Sequence, residues 1–324
     1  MINLSVVIPL YNEEESLPEL CSWISRVMDA HGFSYEILLI NDGSTDNSWN
    51  VIGELSKENA FIKGVKFNRN YGKSAALDVG FGLTTGKVVI TMDADLQDSP
   101  DEIPALYRMI TEEELDMVSG WKKTRHDPIS KTIPSRFFNA TTRIISGIKL
   151  HDFNCGLKAY DSKVVKNIKV YGEMHRYIPV IAKWHGFSNI GEKVVEHRKR
   201  KFGTTKFGIE RFVFGFLDLL SITFVSKFKK SPMHFFGLLG TLSFLFGFLS
   251  TVWLIWKKLE AVYILKIPVV REVVDQPLFF LALVAIIVGV QLFMAGFLGE
   301  LLVINKAEKD EYLVIDRIGL PKAN

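Results

Sequence analysis

The stretch Lys87-Val88-Val89-Ile90-Thr91-Met92-Asp93-Ala94-Asp95-Leu96-Gln97 passes from consecutive apolar, β-branched residues straight into two carboxylates one residue apart. A run apolar at neighbouring positions, not only alternate ones, fits a strand buried on both faces, as in sheets covered by helices. Comparable runs occupy 4–9, 36–41, 62–68 and 116–119. Helical patterns over 14–30, 46–57, 73–83 and 100–110 separate them, with Asp46 and Ser99 placed near the starts as caps. Strand and helix in alternation predict an α/β fold: a Rossmann-like, mainly parallel sheet with helices on both faces. Such sheets bind ligands at the carboxyl ends of their strands.

Three polar clusters fall at those ends. Pro9-Leu10-Tyr11-Asn12-Glu13-Glu14 follows the first strand, Asn41-Asp42-Gly43-Ser44-Thr45-Asp46 the second, and Asp93-Ala94-Asp95-Leu96-Gln97 the fourth. Neither GxGxxG nor GxxxxGK[ST] occurs, so no dinucleotide fingerprint or Walker loop supplies phosphate contacts. Asp93 and Asp95 are hard oxygen ligands of the kind that suit Mg²⁺ or Mn²⁺, with Gln97 able to add a neutral oxygen. These ions keep waters and take further ligands from a substrate diphosphate.

The 324 residues carry 39 Lys and Arg against 36 Asp and Glu, and a net charge of +3 gives no reason to expect a nucleic-acid partner. Two cysteines, Cys21 and Cys155, lie far apart without a CxxC, which argues against a disulfide framework or zinc site. The apolar start over 4–10 is too short for a signal-peptide core and reads as a strand. Of 24 phenylalanines, sixteen fall between Phe202 and Phe297, so the second part of the chain is a different material. There, 235–256 and 277–299 are free of charge and long enough to cross about 30 Å of hydrocarbon. The segment 207–231 mixes Phe, Ile, Val and Leu with Glu210, Arg211 and Asp218, the pattern of helices lying in a membrane interface. The expected division is a catalytic domain over 1–206, interface helices over 207–231, a two-helix membrane domain over 232–304 and a tail over 305–324. In that tail, 312–318 has strand character and could pair between subunits of a homo-oligomer.

The three strand-end motifs together resemble family 2 glycosyltransferases of the GT-A fold. More narrowly, the chain is similar to the polyprenyl-phosphate glycosyltransferases, whose bactoprenol members also carry two C-terminal spans. The resemblance implies that Pro9, Tyr11, Glu13 and Asp42 hold the base and ribose of a nucleotide-sugar donor, with Lys73 nearby. It gives Asp93 and Asp95 to the metal and diphosphate, with Gln97 beside them. Ser119-Gly120-Trp121-Lys122-Lys123-Thr124-Arg125 resembles a Gly-Trp-Arg-x-x-Arg pattern in which Lys122 replaces the first arginine, leaving the role to Arg125. Arg136 lies in a segment resembling the one before the membrane-facing helix. Asp152, in His151-Asp152-Phe153-Asn154-Cys155-Gly156, matches the acceptor-side acidic motif and is the candidate catalytic carboxylate. Arg200 and Lys206 match an Arg-x-x-Gly-x-Ser-Lys segment, with Thr205 in place of the serine. No Gln-x-x-Arg-Trp motif of processive synthases is present, which favours a single transfer.

The expected acceptor is a polyprenyl phosphate such as undecaprenyl phosphate, and the expected donor UDP-glucose. A phosphate monoester has a second pKa near about 6 and is largely dianionic at neutral pH, so its nucleophilic oxygen needs charge neutralisation more than deprotonation. Arg125, Arg136, Arg200 and Lys206 suit that need. Asp152 then orients the acceptor or steadies positive charge on the sugar, a base role being open but not required. The expected location is the inner (plasma) membrane, multi-pass, with the catalytic domain on the cytoplasmic side where nucleotide sugars are. The competing readings are transfer to a lipid or glycan hydroxyl, which would need a true base, and a noncatalytic membrane-anchoring subunit that kept the fold.

Overall fold

A computed structural model describes residues 2–123, 139–172, 174–198, 201, 232–266, 272–305 and 314–319. The chain divides into two compact units, Met1–Ile222 with Glu311–Asn324, and Thr223–Asp310.

The first unit is built on eight strands: β1 (Leu4–Leu10), β2 (Tyr35–Asn41), β3 (Ile62–Phe67), β4 (Val88–Thr91), β5 (Met117–Trp121), β6 (Lys158–Asp161), β7 (Ile190–Val194) and β8 (Val314–Ile318). Their order across the sheet is β7-β5-β6-β4-β1-β2-β3-β8. β1 runs parallel to β2 and β4, β2 to β3, and β5 to β7. β6 is antiparallel to both β4 and β5, and β8 is antiparallel to β3. The sheet is therefore mixed, and its antiparallel members, β6 and β8, are strands that the alternating pattern of the first 120 residues does not reach. β8 adds to the edge of its own chain's sheet: Lys66 stands opposite Asp316, and Trp49 donates its indole N–H to the Asp316 carboxylate at 3.3 Å.

Continuous apolar strands require cover on both faces, and the core has two halves accordingly. Val6, Ile8, Ile37, Leu39 and Ile90 pack beneath α1 (Leu17–Ala30), α2 (Ser48–Glu58) and α4 (Ile103–Thr111). The alternate residues Val7, Leu38, Ile40 and Val89 pack against α3 (Lys73–Leu83), α5 (Ser162–Asn167) and α6 (Ile178–Trp184). The period-2 pleat sends neighbours on each strand into opposite halves.

One turn has no room for a side chain. Gly43, at the end of β2, has φ +69°, and a Cβ there would lie 2.3 Å from the carbonyl carbon of Arg69. Gly43→Ala is expected to cost about 2–3 kcal/mol, from overpacking plus a left-handed backbone, read as a lowered thermal unfolding midpoint.

The second unit consists of α7 (Pro232–Leu259), continued by a π-helical turn over Glu260–Ile264, and α8 (Pro277–Asn305). The most apolar 18-residue stretches of Pro232–Ile264 and Pro277–Gly299 have mean hydropathies of 2.0 and 2.7, and both segments are long and apolar enough to cross a membrane. The helices meet through glycines: a Cβ on Gly240 would lie 2.6 Å from the Gly289 carbonyl oxygen, and one on Gly289 2.6 Å from the Phe244 nitrogen. Ser243 donates to the Ala285 carbonyl at 2.8 Å. Close small-residue contacts and interhelical hydrogen bonds hold helices together where no hydrophobic driving force acts between them. Gln291 is exposed on this pair of helices.

Candidate active site

The strand order reverses beside β1, with β2 and β3 on one side and β4 on the other. At such a switch point the loops leaving adjacent strands diverge and open a crevice. A cleft of about 380 Å³ lies there, and Pro9, Tyr11, Glu13, Asp42, Lys73, Asp93 and Asp95 all line it. β4 ends at Thr91, ahead of both carboxylates, and Asp93 and Asp95 reach the same cleft.

The three clusters are bonded into one frame. Asn12, with φ +56°, donates its amide to Ser44 Oγ at 2.9 Å and accepts from the Thr45 amide at 2.9 Å. Glu13 donates its amide to Ser48 Oγ at 3.0 Å, and its carboxylate accepts from Ser16 Oγ at 3.1 Å. Asp42 accepts the amides of Tyr71 and Gly72 at 2.7 and 2.9 Å. These bonds fix the turn that starts α3, where Gly72 has φ +93° and Lys73 is the first helical residue. Burial pushes the Asp42 carboxyl up, against the two amides that favour its charge.

Lys73 closes the frame through an ion pair and hydrogen bond with Asp93. Burial opposes ionisation of Asp93, but the charges of Lys73, Lys122 and Lys158 outweigh it and hold the carboxyl well below the usual carboxylate range. Gly156 leaves the space this carboxylate occupies, since a Cβ there would lie 2.5 Å from Asp93 Oδ2. Asp95 is nearly buried, and its Oδ1 accepts the Gln97 amide at 3.2 Å across Leu96, a non-glycine at φ +60°. Backbone held in this sparsely populated region is characteristic of functional sites.

Gln97 does not line the cleft. Its side chain donates to the Arg198 carbonyl at 3.3 Å, and the Arg198 amide donates back to the Gln97 carbonyl at 2.9 Å. Among the described residues, no three acidic, His or Cys side chains group to hold a metal. Asp93 and Asp95 at the rim of an open cleft nonetheless fit a hard cation that completes its shell from water and a substrate diphosphate.

Lys122, which replaces an expected arginine, forms a buried ion pair with Asp98 at 2.7 Å. Burial acts to strip its proton, yet the neighbouring Asp98 keeps it charged and raises it above the usual lysine range. The pair ties the end of β5 to the loop carrying Asp93 and Asp95.

Asp152 is buried, does not line the cleft, and accepts the Asn154 amide at 3.0 Å. Glu192 on β7 holds its segment: the Glu192 carboxylate accepts the His151 and Asp152 amides at 2.6 and 3.1 Å and bonds His151 Nδ1 at 2.6 Å. His151 stacks on Trp121 with centroids 4.1 Å apart. A second, small cavity adjoins the cleft, lined by Asn154, Gly156, Lys158 and Arg176 and sharing Pro9, Lys73, Asp93 and His175 with it. Burial pushes Lys158 down from the usual lysine range, and it pushes the thiols of Cys21 and Cys155 up to about 12. Both cysteines are free and protonated, hence unreactive.

Sequence reasoning did not single out Asp98, Lys158, His175, Arg176 or Glu192. Arg125, Arg136, Arg200 and Lys206, and the segment 207–231, lie outside the described residues.

Residues 5–169 match glycosyl transferase family 2. The chain is 34% identical to dodecaprenyl-phosphate galacturonate synthase of Rhizobium johnstonii over 93% of its own length and 88% of that protein's. It is also 34% identical to undecaprenyl-phosphate 4-deoxy-4-formamido-L-arabinose transferase of Shewanella sediminis, over 92% of this chain and 86% of that one. Among solved structures, mannosyl-3-phosphoglycerate synthase of Rubrobacter xylanophilus superposes with a TM-score of 0.56 at 14% identity, covering 68% of this chain and 73% of that one. Glucosyl-3-phosphoglycerate synthase of Mycobacterium tuberculosis, solved with Mn²⁺ and UDP-glucose, gives 0.52 at 20% identity, covering 69% and 78%. The family match spans the strands and acidic loops that frame the cleft, and both relatives extend over nearly the whole chain: this protein belongs to glycosyl transferase family 2 and is a glycosyltransferase of the GT-A fold.

Proposed function

We propose that this enzyme transfers a single sugar from a nucleotide-sugar donor, UDP-glucose, to a polyprenyl phosphate such as undecaprenyl phosphate, at the cytoplasmic face of the plasma membrane. The observation that carries the reading is the single cleft in which the candidate nucleoside contacts, Lys73 and two strand-end carboxylates meet. The acceptor class rests on two relatives named for polyprenyl-phosphate products, each matched over more than nine-tenths of this chain. They are named for different sugars at the same identity, so the acceptor is what they share. UDP-glucose follows from the two-span arrangement, which resembles that of bactoprenol glucosyltransferases.

Pro9, Tyr11, Glu13 and Asp42 hold the nucleoside, Asp42 also fixing the turn that delivers Lys73. Asp93, neutralised by Lys73, and Asp95 face the diphosphate; they would hold Mg²⁺ or Mn²⁺, which supplies Lewis-acid stabilisation of the departing nucleoside diphosphate. The lipid phosphate oxygen forms a bond to the anomeric carbon as the bond to the diphosphate oxygen breaks. The bonding pair leaves with the diphosphate, and the anomeric configuration inverts. Arg125, Arg136, Arg200 and Lys206 neutralise the incoming phosphate. Asp152 orients the acceptor side, and no proton need be abstracted from a dianionic phosphate. Return of the chain to the catalytic sheet as β8 supports an even number of crossings, with both ends of the two-helix unit on one side of the bilayer.

Labelled UDP-glucose, UDP-N-acetylglucosamine and GDP-mannose, each given with undecaprenyl phosphate and Mg²⁺ or Mn²⁺, test the proposal. The expected result is labelled lipid from UDP-glucose, sensitive to mild acid as a glycosyl phosphate is. Labelling of undecaprenol in place of the phosphate would establish the hydroxyl-acceptor reading, and no labelled lipid from any donor would sink the assignment.

A further inference from the structure

Ser74, the second residue of α3, is fully buried and makes two hydrogen bonds to His175. Its Oγ accepts the His175 backbone amide at 3.0 Å and lies 3.1 Å from His175 Nδ1. A buried hydroxyl proton needs an acceptor, and Nδ1 is the acceptor that Ser74 has among the described residues. If Nδ1 carried a proton instead, Oγ would accept twice and its own hydrogen would be stranded. The hydrogen-bond accounting thus places the ring proton on Nε2.

Nε2–H has no protein acceptor among the described residues, while His175 lines both the cleft and the small cavity beside it. Burial, together with the charges of Lys73, Arg176 and Lys158 and against that of Asp93, keeps the imidazole well below its ordinary range and therefore neutral. A neutral ring adds a directional donor, not another cation, to a place already served by Lys73.

Position identifies what it donates to. Tyr11, Glu13 and Asp42 line the cleft but not the small cavity, whereas Asn154 and Arg176 line the cavity but not the cleft. His175 lines both, as Lys73 and Asp93 do, so with the nucleoside placed at Tyr11, Glu13 and Asp42 it stands at the opposite end of the row, past the two groups assigned to the diphosphate. Resting on the donor reading given above, we propose that His175 is a sugar-binding residue whose Nε2–H donates to a hydroxyl of the hexose being transferred, with Ser74 fixing the tautomer.

The test uses full-length protein in lipid nanodiscs, with UDP and UDP-glucose as probes. His175→Ala is expected to raise KM for UDP-glucose roughly tenfold with a smaller change in kcat, and to leave affinity for UDP within about twofold, since one neutral hydrogen bond is lost from the sugar alone. His175→Gln, whose amide nitrogen reaches the Nε2 position, is expected to restore most of the KM. Equal losses of UDP and UDP-glucose binding in His175→Ala would overturn the proposal, as would a His175→Gln variant no better than alanine. A wild-type KM in His175→Ala overturns it while leaving the donor reading intact. Failure of the wild-type protein itself to use UDP-glucose overturns both.

Discussion

Asp95→Ala is expected to lower sugar transfer by about 10³-fold, the scale on which removal of a preorganised charge-stabilising group acts, while the protein keeps its thermal unfolding midpoint. The separation of the two readouts follows from the local structure. Asp95 lies past the end of β4, its carboxylate accepts the Gln97 amide two residues on, and no strand pairing depends on its side chain. Asp93 is different, because its removal would leave Lys73 without its carboxylate and alter the charge of the whole cleft. Asp95 is thus the cleaner probe of the diphosphate end. Transfer measured as label moved from UDP-glucose to lipid checks the expectation, and a variant retaining about a tenth of wild-type activity would remove Asp95 from the mechanism.

Glu36→Ala carries the largest expected loss of stability, about 3 kcal/mol, because it strips several donors of one buried acceptor and leaves a void. Glu36 sits inside β2 and is almost fully buried. It accepts from Ser5 Oγ at 2.6 Å, from Lys63 Nζ at 2.7 Å, and from both the amide and the hydroxyl of Thr85 at 2.7 Å. It therefore joins β1, β3 and the turn before β4. Burial acts to raise its carboxyl, but these bonds together hold it below its ordinary value of 4.5. A group depressed in the folded state contributes fully above its unfolded value and loses that contribution as pH falls through the folded one. Wild-type stability should accordingly fall below about pH 4.5, and Glu36→Ala should lose less than wild type over the same acid range. Thermal unfolding of both proteins between neutral pH and pH 4 checks the sign, and parallel curves would show that Glu36 takes no part in the titration.

The fold was legible wherever a strand announced itself by apolar content. β1 to β5 each lie within two residues or so of their expected positions, and α3 begins and ends as expected at Lys73 and Leu83. The limits came from elements with little apolar signal of their own. β6 is four residues long and begins with Lys158, and its antiparallel direction is set by the neighbours it slots between, not by its composition. The tail segment 312–318 looked suited to pairing between subunits; β8 instead pairs with β3 of its own chain, because a strand's composition shows that it will pair and not with which edge.

The cleft was legible for a comparable reason. Its seven lining residues expected from sequence lie at or after strand ends, and topology brings strand ends together. Lys122 read as a weakened arginine until its partner was in view: Asp98 belongs to another loop, and no local spacing joins the two. Glu192 is a lone carboxylate on a half-buried strand, and its hold on the Asp152 segment depends on distant pieces of chain meeting. Gln97 followed the acidic pair closely enough to suggest a shared ligand, yet its side chain turns to the Arg198 backbone. Proximity in sequence is a guide to shared chemistry only where the backbone does not bend between the residues, and Leu96 at φ +60° is such a bend.

The place of β8 governs the order in which the molecule can be completed. A ribosome makes β1 to β7, then both apolar helices, and only afterwards the strand that covers β3. Until then β3 offers an unsatisfied edge of amides and carbonyls, the kind of surface on which nascent chains misassociate. A chain stopped after the second apolar helix would therefore carry a raw sheet edge, with β3 left uncovered.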